Sequence, residues 1–146
     1  MSIIEVTGDL LQSDSQALVN TINCVGVMGK GIALSFKKTF PDNFKQYRKA
    51  CEEHRVVIGK MFVTSESNQI IINFPTKEHW RNPSQLKWID DGLNDLLNVI
   101  DYFKIHSLSL PRLGCSNGGL SWSVVRPLIY EKLKHVQCDI KIYSLE

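Results

Sequence analysis

The feature that most constrains this chain is an alternation that runs along it: short apolar runs of strand length take turns with stretches whose apolar residues recur every three or four positions. Ile3 to Val6 reads as a strand ended by Thr7-Gly8-Asp9, and Ala17 to Ile22 as a second, followed by the glycine-containing segment Cys24 to Gly31. Ile32, Ala33, Phe36 and Phe40 then recur at helical spacing until Pro41, after which Asp42 is placed to cap a helix with Phe44, Tyr47, Cys51 and His54 on one side. Met61 to Thr64 and Gln69 to Phe74 read as strands joined by the polar turn Ser65-Glu66-Ser67-Asn68. Leu86, Ile89, Leu93, Leu96, Leu97 and Ile100 trace one apolar helical stripe. Ser107 to Leu110 is a strand of the buried type, Pro111 to Gly119 a second glycine-containing loop, Trp122 to Leu133 a helix, and Asp139 to Leu145 a last strand. The pattern predicts an α/β domain with helices on both faces of a largely parallel sheet. In such sheets a ligand sits beyond the carboxyl ends of the strands.

At 146 residues the chain has room for one domain spanning 1–146, and 43% apolar with 22% charged residues is a globular mixture. No apolar stretch is long enough to cross a bilayer, so a soluble, cytoplasmic monomer with no membrane partner is expected. Cys24, Cys51, Cys115 and Cys138 are irregularly spaced and read as reduced thiols; with no partner histidine at ligand spacing, neither a metal nor any cofactor is expected. Charge is unevenly placed. From Lys30 to Lys60 there are eight basic and three acidic residues, so that segment is +5 while the chain as a whole is +2. This suits a polyanionic ligand and equally a solvated helix face.

Both glycine-containing loops follow a strand and open onto a helix, where free backbone N–H groups and the helix dipole favour an anion. Two such loops on one sheet suggest a pyrophosphate between them, although glycines also serve plain tight turns.

The ordered set Val6-Thr7-Gly8-Asp9-Leu10, Ala17-Leu18-Val19-Asn20-Thr21-Ile22-Asn23, Gly29-Lys30-Gly31-Ile32-Ala33, Ile72-Asn73-Phe74-Pro75-Thr76-Lys77 and Leu110-Pro111-Arg112-Leu113-Gly114-Cys115 resembles a macrodomain, the module that binds ADP-ribose. The similarity is greatest to the branch that holds the DarG antitoxins and the terminal ADP-ribose glycohydrolases. It implies a three-layer α/β/α sandwich with a mixed, largely parallel central sheet.

The resemblance also implies roles. Asp9 would accept from the adenine amino group, with Leu10 beside it, and Asn23 and Asn20 would meet the distal ribose. The ADP-ribose would further contact Gly29, Lys30, Gly31 and Ile32 in the first loop and Gly114, Cys115, Ser116, Asn117, Gly118, Gly119 and Leu120 in the second. Lys77 stands where the related glycohydrolases use a lysine, as nucleophile or as electrostatic stabiliser. To attack, its amine must lose a proton at neutral pH, so the site has to lower its pKa, with His79 and Arg81 as candidate sources of positive charge. His79, Trp80 and Arg81 are the candidate nucleic-acid contacts, and Trp122 is either a second stacking residue or core. Protein-directed members carry an acidic residue at the position of Gly118, and its absence favours the antitoxin type.

The function expected is therefore removal of ADP-ribose from nucleic acid, in particular from thymine in single-stranded DNA, opposite a cognate ADP-ribosyltransferase toxin. A non-catalytic ADP-ribose reader and a hydrolase of ADP-ribosylated acidic side chains are the alternatives.

Overall fold

The most apolar strands take the middle of the sheet, because only there are both faces covered. The computed structural model describes residues 2–144, which contain six strands: β1 (Ile3–Val6), β2 (Ala17–Asn23), β3 (Phe62–Glu66), β4 (Gln69–Lys77), β5 (Ser107–Pro111) and β6 (Asp139–Tyr143). They form one sheet in the order β1-β6-β5-β2-β4-β3. Only β3 and β4 pair antiparallel, through a hairpin whose turn residues Ser67 and Asn68 both have positive φ, the geometry that matches strand twist. Every other pairing is parallel.

Four helices cover the sheet: α1 (Gly31–Thr39), α2 (Pro41–Glu52), α3 (Leu86–Tyr102) and α4 (Trp122–Leu133). Alternation along the strands divides the core between the faces. Ala17, Val19, Ile72 and Phe74 pack against Ile89, Leu93 and Leu96 of α3 and Val125 and Ile129 of α4. Leu18 and Ile71 face the other way, onto Phe36 and Phe40, while Ile22 packs with Tyr47, Ala50 and Cys51 of α2. The result is the expected α/β/α sandwich.

Several boundaries move for identifiable reasons. Asp42 does not cap α2. The helix starts with Pro41 at its first position, and Glu66 of β3 accepts from the backbone N–H groups of Asn43 (2.8 Å) and Asp42 (3.4 Å). His54 lies past the helix end in the left-handed region at φ 58°, with Arg55 N–H bonded to Ala50 O and His54 N–H to Cys51 O, which closes the last turn. Leu10–Gln12 forms a short 3-10 turn that the apolar pattern does not announce. The last strand ends at Tyr143, and Leu145 lies outside the described residues. The strand expected to stop at Phe74 runs on through Pro75 and Thr76 to Lys77. That extension matters most, because it puts Lys77 on a strand instead of in a loop.

Candidate functional site

The parallel pairings bring the carboxyl ends of β1, β2, β4, β5 and β6 to one edge of the sheet. Along β2 and β4 the register is regular to Ile22 opposite Pro75 and then shifts, so that Asn23 stands opposite Lys77. Proline has no N–H to give the ladder, and an irregularity at Pro75 re-aims the residues beyond it.

Lys77 ties two loops together. Its Nζ donates to the backbone oxygen of Trp80 (2.9 Å) and to that of Asn117 (3.1 Å). Burial, and then the nearby Lys30 ammonium, hold its pKa below the usual lysine value. The like charge expected from His79 and Arg81 thus comes from Lys30, on the other loop. His79 and Arg81 instead engage their neighbour: Arg81 N–H donates to His79 Nδ1 (3.1 Å), its guanidinium lies 4.7 Å from the Trp80 ring centroid, and the His79 and Trp80 rings are 5.4 Å apart. Trp80 is 44% exposed, so the three form a surface aromatic and cationic platform beside Lys77.

The two glycine loops meet as expected. Lys30 precedes α1 in extended conformation without capping it by its side chain, so no side-chain acceptor from the N-cap occupies the first-turn N–H groups. Gly31 follows at φ 56°, and a Cβ there would come within 3.0 Å of Asn117 Nδ2 in the second loop. That second loop is drawn tight: Leu120 N–H bonds to Gly114 O (2.9 Å) and Ser84 N–H to Gly118 O (2.8 Å). A Cβ on Gly118 would overlap the Gly114 carbonyl, so in this conformation the loop admits no carboxylate at 118. Ser116, Asn117 and Gly119 are exposed on the same loop, Leu120 is half-buried, and burial pushes the Cys115 thiol up. Trp122 is half-buried against the core, with the Arg112 guanidinium 4.8 Å from its centroid.

The remaining expected contacts divide. Asp9 is exposed at the end of β1, where its Oδ1 accepts from Leu11 N–H (3.0 Å) and caps the 3-10 turn, while the Leu10 side chain is core. Asn20 is not brought to the edge: it is fully buried, its Nδ2 donating to Asn73 Oδ1 (3.1 Å) in a network that continues to Asn43 and Thr64. Asn23 shapes the adjoining loop, its Nδ2 donating to Val27 O (2.8 Å) and its Oδ1 accepting from Val25 N–H (3.0 Å). The residue that the pattern hid is Tyr47 of α2. Its hydroxyl, in a fully buried side chain, donates to both Asn23 oxygens at 2.9 Å. In sequence it is one more apolar-face aromatic, and nothing local marks it otherwise.

Comparison with known proteins fits this geometry. The family model described as "Macro domain" matches residues 19–129. A Mycobacterium tuberculosis protein named DNA ADP-ribosyl glycohydrolase is 56% identical over 142 residues, covering 94% of this chain and 40% of that one. The chain thus spans well under half the length of that relative. The solved macrodomain of Mycobacterium tuberculosis DarG superposes with a TM-score of 0.95 at 50% identity, covering 97% of each chain. Thermosipho africanus DarTG, solved in complex with ADP-ribose, superposes at 0.90 with 36% identity over 100% of this chain and 42% of that one.

Proposed function

The chain belongs to the macrodomain family, and from that premise we propose that it is an ADP-ribosyl glycohydrolase acting on nucleic acid, in particular on thymine in single-stranded DNA. The observation that carries the reading is Lys77: a lysine of lowered pKa at the carboxyl end of β4, held by the backbone oxygens of Trp80 and of Asn117 in the second glycine loop, with Lys30 of the first glycine loop near enough to act on its charge. In the reaction the bond between the anomeric carbon of the distal ribose and the base breaks, the base leaves with a proton, and the carbon finally takes a hydroxyl from water. Lys77 serves either by attacking that carbon as a neutral amine or by stabilising charge as an ammonium. The uncapped start of α1 receives phosphate oxygens, Asp9 accepts from the adenine amino group, and Asn23 holds the loop beside the ribose. Trp80 offers an exposed ring for a flanking base. Such an enzyme would act as a cytoplasmic monomer opposing an ADP-ribosyltransferase, as an antitoxin does.

The Gly118 loop favours a nucleic-acid conjugate over a protein one, because the acidic residue of protein-directed members has no room there. Incubation with an ADP-ribosylated oligonucleotide and with an ADP-ribosylated protein tests this. Release of ADP-ribose from the oligonucleotide is expected, and release from protein alone would sink the reading. One observation favours a non-catalytic reader instead: both Lys77 acceptors are carbonyl oxygens, which bind a charged ammonium more strongly than a neutral amine and so oppose formation of the nucleophile. Binding of ADP-ribose without turnover of either conjugate would establish that alternative.

A further inference from the structure

Outside the site, α1 and α2 are the most basic neighbouring pair among the described helices, whereas α3 is acidic. Lys37, Lys38, Lys45, Arg48 and Lys49 are exposed there, against Asp42 and Glu52. Arg48 makes only a long contact with Glu52 (3.9 Å), and among the described residues Lys37, Lys38, Lys45 and Lys49 make no ion pair. A purely solvated face would have no reason to be joined to the site. This one is. Arg48 lies along the first loop, its Cγ 3.8 Å from where a Cβ on Gly26 would stand. Farther out, the Lys37 ammonium sits 4.6 Å from the centroid of half-buried Phe44, one turn before Arg48. The Tyr47 hydroxyl locks α2 to Asn23, so the distance from this flank to Lys77 is set by buried hydrogen bonds.

Resting on the reading of the substrate as nucleic acid, we propose that the Lys37, Lys45 and Arg48 flank is a phosphodiester-binding track for the part of a single strand that lies on one side of the modified nucleotide. The strand enters over Trp80 and Arg81, crosses the cleft at Lys77 and leaves past Val25 and Gly26 onto α2. Side chains at i and i+3 on a helix are neighbours, so Lys45 and Arg48 present two cations along one line, with Lys37 extending it. Flexible cations that contact phosphates without reading bases supply length-dependent, salt-sensitive affinity.

The test is fluorescence anisotropy with unmodified single-stranded oligonucleotides of 5 and 20 nucleotides, on wild type and on K37Q/K45Q/R48Q, with ADP-ribose titrated separately. Wild type should prefer the longer strand, and that preference should collapse in the triple variant while ADP-ribose affinity stays put. Losing three phosphate contacts should also remove about a twentyfold part of the affinity drop between 50 and 200 mM salt. Unchanged length preference and salt slope in the folded variant would overturn the track. So would equal binding of wild type to vesicles rich in phosphatidylserine with no preference for strand length. Because the readout is binding to unmodified strand, a failure of the hydrolase reading shows separately, as absence of cleavage of the ADP-ribosylated oligonucleotide by wild type.

Discussion

The Lys77 ammonium nitrogen lies 3.1 Å from the backbone oxygen of Asn117, 40 positions later in the chain. That one bond joins the end of β4 to the second glycine loop, and with the bond to Trp80 O it fixes the orientation of the only side chain to which we assign chemistry.

Lys77 should therefore show itself in pH and in substitution. Its pKa is lowered, so at any given pH its neutral fraction exceeds that of an ordinary lysine, whose pKa is about 10.4. Single-turnover cleavage of an ADP-ribosylated oligonucleotide should climb with pH through a midpoint below that value if the neutral amine attacks. Lys77→Ala should abolish turnover and keep much of the ADP-ribose affinity. Lys77→Arg stays protonated, so near-normal cleavage by that variant would leave the residue an electrostatic role and give the attack to water.

Lys30→Gln removes the like charge near Lys77 but leaves burial, the larger cause of the shift, in place. The pH–rate profile should move toward higher pH without reaching that of an exposed lysine. A profile that does not move would show that burial alone sets the Lys77 pKa.

Gly118→Ala forces the second loop open, because the added methyl meets the Gly114 carbonyl. The expected cost is about 1–3 kcal/mol of stability, the scale of overpacking, with a larger loss of ADP-ribose affinity than any surface substitution causes. Thermal unfolding and calorimetric titration measure the two. Gly118→Asp should show the same loss and no gain of activity on ADP-ribosylated glutamate. Such a gain would mean that the loop is not confined to the conformation seen here.

Asp9 caps the 3-10 turn, and its proposed contact with adenine can be separated from that cap by substitution. Asp9→Ala should weaken ADP-ribose binding by about 1.5–3 kcal/mol, the range for a hydrogen bond to a charged group, and also lose the cap on the 3-10 turn. Asp9→Asn keeps an acceptor for Leu11 N–H and should retain the stability that Ala loses. Equal affinity of the wild type and Asp9→Ala would remove Asp9 from the ligand site.

Asn73→Ala should cost about 2–4 kcal/mol in chemical denaturation, since it strands the buried amides of Asn20 and Asn43 beneath α2. Full stability in this variant would mean that water reaches the network.

Much of this molecule was legible one residue at a time. Apolar period sets strands and helices, because each element must bury one stripe or face whatever its partners are, and so the order of elements and the α/β class follow from local pattern. The motifs around Asp9, Gly29, Lys77 and Gly114 also stand in the sequence as contiguous strings. What tertiary structure alone decided concerns partners far apart in the chain. Asn20 and Asn23 look alike in sequence. Their different fates follow from the pleat and from the shift beside Pro75, which bury one against Asn73 and carry the other to Lys77. Local pattern placed the charge that acts on Lys77 next door, at His79 and Arg81; folding supplied it from Lys30, across the cleft. Tyr47 reads as packing until its hydroxyl is seen on Asn23. Each of these depends on which atoms meet across the sheet edge, and electrostatic and hydrogen-bond energies act through spatial separation, which one-dimensional spacing does not encode.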